Sequence, residues 1–160
     1  MTKTRFHKSE IARRQLETAV RLFLSGMDQS SVITLAGASS GILDRLVRNA
    51  GKEPFVDYAC RVHRELIGHT PKRRSYSHHI DKRLGIIAHK HLSKDDDETV
   101  ELDLEQMACD ALTRALADYM TLYGKDEPFV KAFFNWAWET KDGQALMKEF
   151  ETVSDRLRPA

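Results

Sequence analysis

The chain has 160 residues and a formal net charge of +1, with 41% hydrophobic and 31% charged residues. These proportions are ordinary for one globular domain, and they exclude a polycation that binds nucleic acid through bulk charge. Any attraction to phosphate must therefore come from a local cluster of basic side chains. The sequence predicts a single helical domain that covers residues 1–160.

The beginning of the chain, MTKTRFHKSE, is polar and carries no apolar core of a signal peptide. No apolar run in the sequence approaches the roughly 20 residues that are needed to span a bilayer. We therefore expect a cytoplasmic protein with no membrane partner.

Two amphipathic helices are predicted first, because apolar residues recur there at every third or fourth position. The first covers residues 9–25, with Ser9 as its N-cap. The second begins after Asp28, a suitable N-cap, and continues to about residue 50. Its middle, LAGASSGIL at residues 35–43, is dense in small side chains and predicts a close approach of another backbone.

A third helix is predicted over residues 54–67, with Pro54 in its first turn. A fourth is predicted over residues 76–92. If that helix is continuous, four of its residues share one face: Ile80, Leu84, Ile87 and His91. We therefore expect His91 to be the most buried histidine of this region.

The remaining helices are predicted in the last third of the chain. A short extended piece at Val100 and Leu102 precedes a fifth helix, residues 104–123, which starts after Asp103. Pro128 lies in the first turn of a sixth helix, and a seventh carries the apolar residues Leu146, Phe150, Val153 and Leu157. About seven helices and no convincing strand pair predict an all-α, up-and-down bundle.

The sixth predicted helix is unusually aromatic. Within ten residues it contains Phe129, Phe133, Phe134, Trp136 and Trp138. One helix of a small bundle buries about half of its circumference, so some of these rings should remain at the surface. We therefore expect a homodimer.

A basic, histidine-rich segment at residues 72–91 is the candidate site. It contains six basic residues and four histidines against only Asp81: Lys72, Arg73, Arg74, Lys82, Arg83, Lys90, His78, His79, His89 and His91. An acidic run at residues 94–105 follows, and it either neutralises the basic surface or gates it. We expect the segment to bind nucleotide or RNA phosphate through four residues: Arg73, Arg74, Lys82 and Arg83.

The histidines do not form a metal-binding pattern. His89 and His91 are two residues apart, so on a helix they point about 200° away from each other. The motif HExxH is absent, as is any Glu-x-x-His pair. We therefore expect no metal and no other cofactor.

Two stretches of the sequence resemble known proteins. The segments RRQLETAVRLFLSG and SSVITLAGASSGIL look like the opening helical pair of HEPN-type domains. The stretch KHLSKDDDETVELD, with FFNWAW further on, resembles a group of small uncharacterised bacterial proteins. HEPN domains are all-α and commonly dimerise, and active members cleave RNA with an Arg-x4–6-His motif. The resemblance implies that this pair would be Arg83 and His89, although Leu84 stands where the family has a polar residue.

Three functions follow from these observations. The one we favour is a non-catalytic, HEPN-like protein that binds nucleotide or RNA phosphate through residues 72–91. The second is a metal-independent ribonuclease in which Arg83 holds the phosphate and His89 transfers the proton. The third is a non-catalytic adaptor or structural dimer.

Overall fold

A computed structural model of the chain describes residues 1–69, 72–141, 144, 145 and 148. Within these residues there is no strand, and there are six helices: α1 (Lys8–Leu24), α2 (Gln29–Asn49), α3 (Phe55–Ile67), α4 (Arg73–Arg83), α5 (Leu104–Tyr123) and α6 (Pro128–Glu139). The predicted all-α class is confirmed. The apolar residues of the predicted seventh helix lie outside the described residues, so that helix stays a prediction.

Helix α2 lies at the centre of the bundle, with α1 and α5 packed against it. Helix α6 packs on α1, whereas α3 contacts α4 and α5. One hydrophobic core joins α1, α2, α5 and α6, and its largest buried side chains include Leu16, Ile33, Leu112, Tyr119 and Phe133. None of the helices in the described ranges is both long and apolar enough to cross a membrane.

One predicted N-cap is correct and another is wrong. Asp28 accepts a backbone N–H bond at the start of α2, as predicted, and Asp103 does the same at the start of α5. The prediction that Ser9 caps α1 is wrong. His7 is the cap, because its Nδ1 accepts the N–H of Ser9 at 3.2 Å, and the helix therefore begins at Lys8.

The small-residue stretch of α2 does allow a close approach, as predicted. The Ser39 hydroxyl donates to the carbonyl of Ala12 in α1 at 2.9 Å. Two residues earlier, Gly37 faces Ile86, which lies in the turn after α4. A Cβ atom on Gly37 would stand 2.8 Å from Ile86 Cγ2, inside van der Waals contact. Only glycine therefore fits at this position without a shift of its neighbour.

The predicted fourth helix, residues 76–92, is wrong at both ends. Helix α4 begins three residues earlier and ends at Arg83. Gly85 has a φ of +74°, a left-handed conformation that residues other than glycine rarely adopt. Its N–H bonds to the Lys82 carbonyl, and the N–H of Ile86 bonds to the Asp81 carbonyl. These two bonds form a Schellman motif, which ends a helix.

The early end of α4 changes which residues after it are buried. Ile86 enters the core and is only 3% exposed, although it was not among the residues expected on the buried face. His91 is exposed, and His89 is the histidine of the segment that is partly covered. The expectation that His91 is the most buried histidine is therefore wrong, because the turn at Gly85 breaks the helical phase on which it depended.

Candidate functional site

Arg73 is the most heavily paired residue of the basic segment. Its Nε donates to Asp57 Oδ1 of α3 at 2.5 Å, and its Nη2 donates to Asp44 Oδ2 of α2 at 2.7 Å. Asp44 also pairs with Arg48 Nε at 3.1 Å. These contacts attach the start of α4 to two other helices. A phosphate at Arg73 would have to compete with two carboxylates.

The other predicted phosphate-binding residues differ in their surroundings. Arg74 and Lys82 are exposed, and no carboxylate of the described chain lies within ion-pair distance of either. Arg83 is also exposed, but it lines a cleft between α3, α4 and α5. The structure therefore separates Arg83, at a concave site, from basic residues on the open surface.

The cleft has a volume of about 300 Å³ and two kinds of lining. One part is apolar and consists of Phe55, Ala59, Ile80 and Leu84. The other part is polar and consists of Tyr76, Arg83, Asp110, Thr113 and Arg114. The Tyr76 hydroxyl donates to the Ala59 carbonyl at 3.4 Å, and burial raises the pKa of this tyrosine. An anionic group and an apolar group can both be accommodated here.

Arg114 is the second arginine of the cleft, and sequence reasoning did not single it out. It is only 4% exposed. Its Nη1 forms an ion pair with Asp81 of α4. Its Nε has no hydrogen-bond partner among the residues that the structure describes. A buried guanidinium with an unused donor retains the capacity to bind a further acceptor.

Asp118 lies one helical turn after Arg114 and is 1% exposed. Its Oδ1 accepts the N–H of Phe55 at 2.7 Å, so it caps α3, where Pro54 supplies no side-chain bond. Burial raises the pKa of Asp118 to about 6; the Phe55 bond opposes this, and the negative charge of Asp44 adds to it. Its Oδ2 has no partner within the described part of the chain.

The sequence signal for these two side chains is weak: they are charged residues among the apolar residues of a predicted helix. Arg114 and Asp118 are four apart in α5, among apolar residues that the sequence already placed in the core. Charged pairs at this spacing usually lie on a solvated surface. The pattern in the sequence alone therefore does not distinguish a buried pair from an exposed one.

His89 occupies a different position from Arg83. Its Nδ1 is 2.7 Å from the Gly85 carbonyl oxygen. Because a carbonyl only accepts, Nδ1 carries the proton, and Nε2 is the basic nitrogen of the neutral ring. His89 is not among the residues that line the cleft with Arg83. This cleft therefore does not contain both members of the predicted catalytic pair.

The acidic run after the basic segment is exposed and makes few contacts. Asp96 Oδ2 accepts the N–H of Ser93 at 2.8 Å. No ion pair joins residues 94–105 to residues 72–91 in the part of the chain that is described. Val100 and Leu102, expected in a short extended piece, belong to no strand there. Direct pairing between the two charged stretches is therefore not seen.

Potential metal ligands do not converge in the described part of the chain. No group of three or more His, Cys, Asp or Glu side chains among those residues is placed to hold a metal ion.

No protein-family model, no curated protein and no solved structure matches the chain. The candidate site therefore rests on the geometry of the cleft.

Proposed function

We propose that this protein binds a nucleotide or RNA phosphate, without catalysis, at the cleft between α3, α4 and α5. One observation carries the proposal. Arg83, a residue of the basic segment, lines a concave surface that also contains the buried Arg114. Guanidinium groups bind phosphate through paired N–H bonds, and a partly enclosed site strengthens those bonds. The rest of the basic segment then attracts the ligand at longer range.

The ribonuclease alternative has weaker support. Cleavage without a metal needs a phosphate-binding group and a proton-transferring group near one phosphate. Arg83 lines the cleft, whereas the His89 ring bonds to the Gly85 carbonyl outside it. Binding without cleavage explains why Arg83 lines the cleft while His89 lies outside it, because it requires no chemical role for His89.

Arg83→Ala should weaken binding of a short labelled RNA or a nucleotide by about tenfold or more. The reason is that hydrogen bonds to charged groups contribute roughly 1.5–3 kcal/mol. Fluorescence anisotropy at several salt concentrations measures the effect. For single-stranded RNA, each lost phosphate contact should also reduce the log–log salt slope by about 0.7.

Arg74→Ala is the matched control, because it removes the same charge from an exposed residue outside the cleft lining. Its affinity should stay within about threefold of the wild type if the cleft is the site. His89→Ala should also retain binding. Equal losses in Arg83→Ala and Arg74→Ala would indicate a diffuse basic surface, and an unchanged Arg83→Ala variant would refute the proposal.

We also propose that the chain is a HEPN-like, cytoplasmic homodimer that uses α6. Phe129 and Phe133 of this helix are buried in the core, but Trp138 is 64% exposed. Tyr123, at the end of α5, is 47% exposed. Large exposed aromatic side chains are enriched at protein–protein interfaces. An adaptor function would use the same surface.

Light scattering at tens of micromolar protein should therefore give twice the chain mass of 18.3 kDa. Trp138→Ala should shift the equilibrium towards the monomer, because the loss of a buried aromatic anchor costs about 2 kcal/mol or more at an interface. Leu66→Ala, at an exposed residue of α3, is the control for the loss of an exposed apolar side chain. A monomer mass for the wild type would remove the dimer proposal.

A further inference from the structure

We infer that the cleft recognises a terminal phosphate monoester, and that Arg114 is the residue that binds it. This inference rests on the proposed function and narrows it. A terminal monoester occurs on a free mononucleotide and at the phosphorylated end of an RNA. We expect a phosphodiester inside a chain to bind this site more weakly.

Arg114 has unmet hydrogen-bonding capacity. Its side chain is 5% exposed, and Asp81 is the one carboxylate paired with it among the described residues. A buried donor that has no partner costs roughly 1–3 kcal/mol. Arg114 lines the cleft, and its Nε, although covered from solvent, is unpaired within the described chain, so a shift of the guanidinium towards an acceptor in the cleft would remove this cost.

The charge of the ligand also favours a monoester at this site. A phosphate monoester carries about −1.5 to −2 charges near neutral pH and offers three acceptor oxygens. An internal phosphodiester carries about one charge. Asp81 already opposes the charge of Arg114, and Asp110 also lines the cleft. Because Arg114 is paired with a carboxylate, the more highly charged phosphate group competes better for its guanidinium.

The size and the lining of the cleft suit a single phosphate ester. Its volume of about 300 Å³ is at the lower end of the range for small-molecule sites, so it suits one ligand group and not a run of chain. Phe55 and Ile80 provide an apolar surface beside the arginines. Asp110 and Thr113 provide polar oxygens to which ribose hydroxyls or base amino groups can donate. The combination fits a phosphate ester with an attached sugar and ring.

Two pairs of probes distinguish a free mononucleotide from the phosphorylated end of an RNA. Titration calorimetry compares adenosine 5′-monophosphate with adenosine, and anisotropy compares a 5′-phosphorylated RNA hexamer with the same hexamer ending in a 5′-hydroxyl. At least one phosphorylated probe should bind tenfold or more tightly than its unphosphorylated counterpart. The monophosphate arm reports a free nucleotide, and the hexamer arm reports an RNA end.

Two variants locate the effect in the cleft. Arg114→Lys keeps the positive charge opposite Asp81 but removes the Nε donor and the planar fork. Ala59→Leu adds bulk to the apolar wall and touches no charged group. Both should reduce the preference for the phosphorylated probe by tenfold or more. Ala88→Leu, at an exposed residue outside the cleft, adds the same bulk and should have no effect. Thermal unfolding identifies a variant that fails to fold, and the other cleft variant then decides alone.

Each result has one meaning. A phosphate preference that is lost in the folded cleft variants supports the inference. Equal binding of phosphorylated and unphosphorylated RNA, with dependence on Arg83, overturns the inference but leaves the proposed function standing. A phosphate preference that persists in Ala59→Leu also overturns it. If no phosphate compound binds, both the inference and the proposed function are wrong.

Discussion

Because Asp118 ionises as the pH rises, the wild type should lose about 3 kcal/mol of stability between about pH 4 and pH 7. Asp118→Asn should abolish this loss. The pKa of Asp118 is raised to about 6 by burial, from an ordinary value of 3.8. Each pKa unit corresponds to about 1.4 kcal/mol. Asparagine has nearly the same shape and can still accept the Phe55 N–H, but it does not ionise.

The sign follows from proton binding. Between about pH 4 and pH 6 the folded protein holds a proton on Asp118 that the unfolded chain has released. The contribution of this group to the free energy of unfolding is therefore largest below pH 4. It falls as the pH rises and is fully lost above the folded pKa. In the variant, the buried amide group of the introduced asparagine adds an offset that does not depend on pH.

Urea unfolding of both proteins at several pH values gives the difference in free energy of unfolding. This difference, variant minus wild type, should increase by about 3 kcal/mol from pH 4 to pH 7. Asp97→Asn is the control, because it removes one carboxylate from the exposed acidic run. A difference that stays constant with pH would mean that Asp118 is already ionised at pH 4 in the folded protein.

Gly37→Ala should lower the free energy of unfolding by about 1–3 kcal/mol, the usual cost of an overpacked core. The added Cβ would be 2.8 Å from Ile86 Cγ2 and 3.1 Å from its Cγ1. Ile86 is itself buried and follows Gly85, whose left-handed backbone leaves it little freedom to move away. Urea unfolding measures the loss.

Ile86→Ala removes the atoms that the new Cβ would meet, so the two changes should be coupled. Alone, it should cost about 2–5 kcal/mol through the cavity that it leaves. In that background Gly37→Ala should stabilise the protein, by up to about 1 kcal/mol, because alanine favours a helix over glycine. Gly41→Ala, in the same helix with nothing within 4 Å of its added Cβ, is the matched control. Additive effects of Gly37→Ala and Ile86→Ala would contradict the proposed contact.

Local patterns in the sequence predicted much of the bundle. The 3–4 spacing of apolar residues located α1, α2, α5 and α6, and the cap at Asp28 and the start of α5 after Asp103 were predicted correctly. The small residues near Gly37 indicated a close approach. These features depend on interactions between residues within a few positions of each other, and such interactions can be predicted from the sequence alone.

The end of α4 shows where local reasoning failed. The apolar spacing of Ile80, Leu84 and Ile87 fits one long helix, but Gly85 turns the chain and Ile86 packs against Gly37 instead. A glycine inside a helical pattern is compatible with continuation and with termination. The burial of Ile86 against α2 favours termination, and that contact joins residues almost fifty positions apart.

The sequence by itself determined the all-α class, most helix boundaries and the presence of a basic segment. Only the tertiary structure decided which basic residues are available. It pairs Arg73 with Asp44 and Asp57, leaves Arg74 on the open surface, and places Arg83 in a cleft beside Arg114. The physical reason is that the availability of a charged side chain for binding depends on the charges around it and on how deeply it is buried. Those surroundings are supplied by helices that are distant in sequence.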